Sequence, residues 1–143
     1  EFGSLDRLVL ALDQGCTVVA AHAGMSAFFD KEDFFSPLRS LTQRFPNLYF
    51  DTAVLASMFR WRCLPRLMED PALLERAVHG SDFPFPSNAM VFWNRLSPTT
   101  LAPLLQEKNL LERDYQIKKA LGLPQHVFER AEKLLANAGS AAR

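Results

Sequence analysis

Apolar residues change their spacing along this chain, from helical intervals to short unbroken runs and back, and each change marks an element. Leu5, Leu8, Val9 and Leu12 recur at helical spacing and Gly15 follows, so the pattern predicts a helix over residues 5–14. Residues 16–21, Cys-Thr-Val-Val-Ala-Ala, form a short β-branched apolar run, the pattern of a strand buried on both faces. It ends at His22-Ala23-Gly24. A phenylalanine-rich stretch occupies residues 28–45, with a helix expected over 37–45 and a turn at Pro46-Asn47. Leu48-Tyr49-Phe50 then reads as a second strand, spanning about 48–51 and ending at Asp51-Thr52.

The alternation repeats. Residues 58–68 carry helical spacing with Pro65 at a kink or near a helix start, and Pro71 opens a further helical turn through Leu74. Residues 77–81 give a third short strand, ending at Ser81-Asp82, and Phe83-Pro84-Phe85-Pro86 is an irregular loop. Helices are expected over 101–106, over 114–121 with Gly122 as the stop, and over 124–137, with Pro124 at its start and Gly139 past its end. No low-complexity linker interrupts residues 1–143, which predicts one domain. Short apolar strands alternating with helices imply an α/β fold of βαβ units and a parallel sheet. Three units form either an open three-layer sheet or part of an eight-stranded barrel.

Composition narrows the class. The chain is 48% hydrophobic and 22% charged, a globular balance rather than a disordered one. Sixteen basic residues offset sixteen acidic ones, so the electrostatic excess of a nucleic-acid binder is missing. No run has the length of a membrane span and no signal-peptide pattern opens the chain, so a cytoplasmic protein is expected. Cys16 and Cys63 stand in apolar surroundings without CxxC spacing and are expected to be buried free thiols. The opening Glu1-Phe2-Gly3-Ser4 has no methionine and leads straight into an amphipathic segment, as expected of a cut through a longer protein.

Parallel α/β folds collect their chemistry at the carboxyl ends of strands. All three predicted strands end there on a reactive polar residue: His22, Asp51 and Asp82. Alternation predicts that Asp82 shares a face with Gly80 and Val78, and His22 with Ala20 and Val18, while His79 and Ser81 face the helices. Small residues beneath both His22 and Asp82 leave room for an ion or a substrate.

Val18-Val19-Ala20-Ala21-His22-Ala23-Gly24, Pro46-Asn47-Leu48-Tyr49-Phe50-Asp51-Thr52 and His79-Gly80-Ser81-Asp82-Phe83-Pro84 together resemble the last three strands of the amidohydrolase superfamily. The nearer likeness is to the amidohydrolase-related branch that includes the aminocarboxymuconate-semialdehyde decarboxylase group. Ala120-Leu121-Gly122-Leu123 and Val127-Phe128 are similar to that family's helical ending. The resemblance implies the C-terminal three β/α units of a TIM-type barrel, followed by extra helices. It also implies a divalent metal, zinc by family habit, which activates water for hydrolysis or non-oxidative decarboxylation of a small organic substrate. Asp82 matches the aspartate that ends the eighth strand, a metal ligand that also handles a proton of the metal-bound water. His22 matches the histidine that ends the sixth strand, where imidazole serves as acid, base or polariser. Asp51 is expected to support the site or the structure, and Phe83 and Phe85 to wall a pocket or pack the loop. Arg60, Trp61 and Arg62 are expected to be helix residues of mixed burial, with substrate contacts as the alternative, and His126 to be solvated.

The likeness also shows a gap. The family carries a His-x-His pair on its first strand and a Lys or His ligand on its fourth or fifth, and none of these is present here. The resemblance thus implies a segment that does not make a complete active site alone, completed by an N-terminal portion or by a homo-oligomer. Each reactive residue also has a plain structural alternative: a turn or helix-cap aspartate for Asp82, a core histidine for His22. A non-catalytic oligomerising or partner-binding module is the competing reading, because an incomplete barrel leaves open strand edges. A serine hydrolase using Ser81 fits poorly, since Gly80-Ser81-Asp82 lacks the second glycine of a nucleophile elbow.

Overall fold

The computed structural model describes residues 5–25 and 35–141. The first part of the phenylalanine-rich stretch, 28–34, lies outside them. Three strands, β1 (Val18–Ala20), β2 (Leu48–Asp51) and β3 (Ala77–Val78), form one parallel sheet in the order β1-β2-β3. A turn of 3-10 helix, Leu5–Leu8, leads into α1 (Val9–Asp13), and α2 (Phe35–Arg44) joins β1 to β2. Helices α3 (Cys63–Met68) and α4 (Pro71–Leu74) join β2 to β3. A short 3-10 turn, Ala89–Phe92, precedes α5 (Pro98–Gln106), α6 (Leu110–Ala120) and α7 (Gln125–Ala141).

The strands are shorter than their apolar runs because neighbouring groups claim the backbone. Cys16 is tied to α1 through its N–H on the Ala11 carbonyl, and its own carbonyl accepts from Asn47 Nδ2, so β1 begins at Val18. At β3 the His79 N–H donates to the Val127 carbonyl, and the Gly80 N–H turns to Thr52 Oγ1, which ends the ladder at Val78. Only β2 keeps nearly the expected span. Its residues alternate, Leu48 and Phe50 buried, Tyr49 and Asp51 half-buried.

Helix starts are set by caps that hydrophobic spacing does not reveal. Ser97 accepts from the Thr100 N–H with Pro98 just inside, and Asn109 accepts from Leu111 and Glu112, so α5 and α6 begin before their apolar stripes. Asp70 caps α4 on Ala72 and Leu73 and also holds Arg39 of α2. The helix expected over 58–68 is only α3; consecutive turns fill 53–62, and Pro65 sits in the first turn of α3, where its missing N–H costs nothing. Gly139 lies inside α7 rather than beyond it. Gly15, at φ 80°, ends α1 as expected.

Ladder partners point to the same side of a sheet, so register decides the faces. Ala20, Phe50 and Ala77 form one rung; they belong to a single buried cluster with Leu12, Leu38, Leu64, Leu67 and Ile117. Val19, Tyr49, Asp51 and Val78 take the other face, where Val19 is 46% exposed. The two sheet edges also differ. The groups of β3 that point away from β2 are occupied by α7, with His79 N–H on Val127 and the Ala77 carbonyl on Arg130. The outer edge of β1 has no backbone partner among the described residues.

Two smaller expectations need correction. Cys16 is exposed and Cys63 half-buried, both free, with burial raising the Cys63 thiol pKa against the opposing charges of Arg60 and Arg66. Arg60 is buried within the turns, and His126 is half-buried beside Glu75 at 3.8 Å. No helix among the described residues is long and apolar enough to cross a membrane.

Candidate functional site

The carboxyl ends of the three strands share one edge of the sheet, as parallel pairing requires. Immediately beyond β1 the chain coils left-handed, with φ of 56° at His22, 55° at Ala23 and 72° at Gly24. Such angles are costly for non-glycine residues and persist only where surroundings hold them. Asp51, the last residue of β2, supplies that hold: its Oδ1 accepts the His22 N–H at 2.7 Å and the Ala53 N–H at 3.1 Å. The turn closes with the Met25 N–H on the His22 carbonyl. Asp51 thus fixes the backbone that presents the half-buried imidazole.

Beyond β3 the geometry is similar in kind. Asp82 has φ 64°, its carbonyl accepts the Phe85 N–H, and Ser81 Oγ accepts the Phe83 N–H. The Asp82 side chain is exposed and engages no partner among the described residues, so it acts as neither a cap nor a turn acceptor. Gly80 allows a close approach: a Cβ there would lie 3.2 Å from Asp51 Cβ and 3.4 Å from Ala53 Cβ, so the end of β2 would have to give way slightly.

The expected convergence of His22 and Asp82 through simple alternation does not hold. Ala20 shares its rung with Ala77, so it faces away from Val78. Counting by twos from Ala20 and from Val78 therefore leads to opposite faces, and the left-handed turns at both residues end the count in any case. His22 and Asp82 follow the two strands that flank β2, beyond the same edge of the sheet, and no hydrogen bond joins them. Phe83 is 62% exposed, whereas Phe85 packs near Phe59 with ring centroids 6.4 Å apart.

Among the described residues no three His, Cys, Asp or Glu side chains gather closely enough to hold a metal ion. Asp51 Oδ1 is committed to two backbone donors, which leaves Asp82 and His22 too few for a zinc centre with three protein ligands. The residues at this edge do not by themselves fit a metal.

The densest polar cluster lies just behind the strand end. Asp114 on α6 is 1% exposed and Lys118, one turn later, 0%. Lys118 Nζ donates to Asp114 Oδ2 at 2.7 Å and to the Gly80 carbonyl at 2.6 Å. His79 Nε2 lies 3.2 Å from the same carboxylate oxygen, and Ser87 Oγ donates to Oδ1. The His79 ring packs between Phe128, at 4.9 Å, and Tyr115, at 6.2 Å, on the helix side of the sheet as alternation predicts. Burial opposes ionisation of Asp114, yet the His79 hydrogen bond and the charge of Lys118 outweigh it and hold its pKa below the usual carboxylate value. Burial pushes the Lys118 pKa down, against the pull of Asp114 and, more remotely, Asp51. Lys118 has no path to solvent, so its work is to clamp α6 onto the Gly80 carbonyl, two residues before Asp82. The sequence held a sign of this clamp: 114, 117, 118 and 121 share one helical stripe, and a charged pair within the apolar stripe is out of place on a solvated face.

No family model, no curated protein and no solved structure matches this chain.

Proposed function

We propose that this chain carries the last three β/α units of an amidohydrolase-type barrel and contributes two proton-handling residues, Asp82 and His22, to a strand-end site completed by groups beyond those described. The reaction class is hydrolysis, or non-oxidative decarboxylation, of a small organic substrate in a cytoplasmic enzyme. One observation carries the reading. Three parallel strands run in sequence order, and their carboxyl ends lead at one edge to His22, Asp51 and Asp82. Two of those residues sit in left-handed turns, the kind of backbone strain that clusters at functional sites. In this reading the free carboxylate of Asp82 accepts a proton, His22 donates or receives one from across β2, and Asp51 keeps His22 in place. No step is routed through a metal, because the ligand set at this edge is short.

Closure of a barrel further requires a strand to take the place of Val127 and Arg130 along β3. The test is made in the native polypeptide that carries this segment. Asp82→Asn and His22→Gln are each expected to lower turnover by about 10²-fold or more with the thermal midpoint unchanged. Full turnover in both variants rejects the assignment.

A second reading, a non-catalytic module that pairs with a partner or a second copy, draws on the open outer edge of β1 and the exposed Val19 beside it. Sedimentation velocity separates the two: a strict monomer at high concentration speaks against the module.

A further inference from the structure

Between the turns after β2 and the loop after β3 lies a cavity of about 320 Å³, roofed by α5 and α6. Met58, Phe59, Phe85, Leu104 and Leu105 give it an apolar lining, and Arg113 contributes the cationic group. The volume falls at the lower end of the range of small-molecule sites, which are mostly apolar with a few placed polar groups. The guanidinium is under-used. Its NH1 makes one long bond, 3.4 Å, to the Glu107 carbonyl, its Nε is buried without an acceptor, and it meets no carboxylate among the described residues. Met58, Phe59 and Leu105 are each exposed by more than two fifths although they line a concavity. The guanidinium lines the cavity without a carboxylate partner among the described residues, and an arginine fork matches a carboxylate in shape and charge.

We infer that this cavity binds a small monocarboxylate with an apolar or aromatic body, the acid on Arg113 and the body between the Phe59–Phe85 ring pair and Leu104–Leu105. The inference is independent of the barrel reading, since it needs neither His22 nor Asp82. The ring pair supplies edges and faces for a flat body, and the arginine rejects an uncharged isostere. Ser87, in the cavity wall, is tied to Asp114 and is not a recognition group.

The test uses the full chain with phenylpropionate as probe and phenylpropionamide as its neutral twin, read by calorimetry and by amide chemical shifts. Phenylpropionate is expected to bind with Kd on the order of 0.1–1 mM, and the amide at least about tenfold more weakly. Shifts are expected to concentrate at Phe59, Phe85, Leu104 and Leu105. Arg113→Met is expected to remove the preference for the acid while the amide binds as before, and Leu105→Trp, which fills the cavity, to abolish both. Equal affinity for acid and amide in the unmodified chain, absence of binding at several millimolar, or shifts confined to another surface each overturns the inference, and none of these depends on a variant folding.

Discussion

Asp114 is the residue on which most of the local electrostatics turns. Removing it leaves Lys118 charged, buried and unpaired, the costly way to break an internal ion pair. Asp114→Ala is expected to lower unfolding free energy by about 3–5 kcal/mol in a urea titration, and Asp114→Leu with Lys118→Met to recover part of that loss. The carboxyl pKa is held down in the fold, so its contribution is present above the unfolded value, about 3.9, and is lost as pH falls through the lower folded one. An acid titration of stability followed by circular dichroism is expected to show that loss in the native sequence and a flatter limb in Asp114→Asn. Asp51 gives a second expectation at this scale. Asp51→Ala removes the acceptor of two backbone donors and is expected to cost about 1–3 kcal/mol, with the His22 amide resonance displaced. The residue types at the strand ends are legible in the sequence, but their geometry is not. Counting by twos presumes an extended chain, and positive φ at His22 and Asp82 breaks it. The Asp114–Lys118 pair shows in the sequence as charges within an apolar stripe, but what it clamps does not, because the Gly80 carbonyl is far away along the chain.

For the elements, apolar runs identified all three strands and the parallel sheet, and periodicity found the helices but misplaced their ends. The reason is that ends belong to polar residues. Ser97 and Asn109 start α5 and α6, Asn47 and Thr52 shorten β1 and β3, and each acts through a hydrogen bond that carries no hydrophobic signal. Asp70 tests the point, because it caps α4 and holds Arg39 of α2 at once. Ser97→Ala is expected to cost about 1 kcal/mol as a lost cap, and Asp70→Ala more than that, both measured by thermal unfolding.

Across the described residues the sheet has one dry face and one partly exposed at Val19, and mutation should feel the difference. Phe50, fully buried against the helices, is expected to cost about 3–5 kcal/mol as Phe50→Ala, whereas Val19→Thr on the opposite face is expected to stay within about 0.5 kcal/mol. A large penalty at Val19 in chemical denaturation would mean that face is covered in solution. The barrel and the open sheet could not be told apart from three strand-like runs, because both begin with the same βαβ units and differ in what lies along the outermost strands. Those margins are unlike. With α7 lying along β3, and no backbone partner along β1 among the described residues, the β3 margin is closed to the head-to-tail stacking by which sheet proteins grow into filaments. Were two copies to pair through their backbones, the described residues leave β1 against β1, a two-fold, antiparallel arrangement that consumes the open margin of each and stops at a pair.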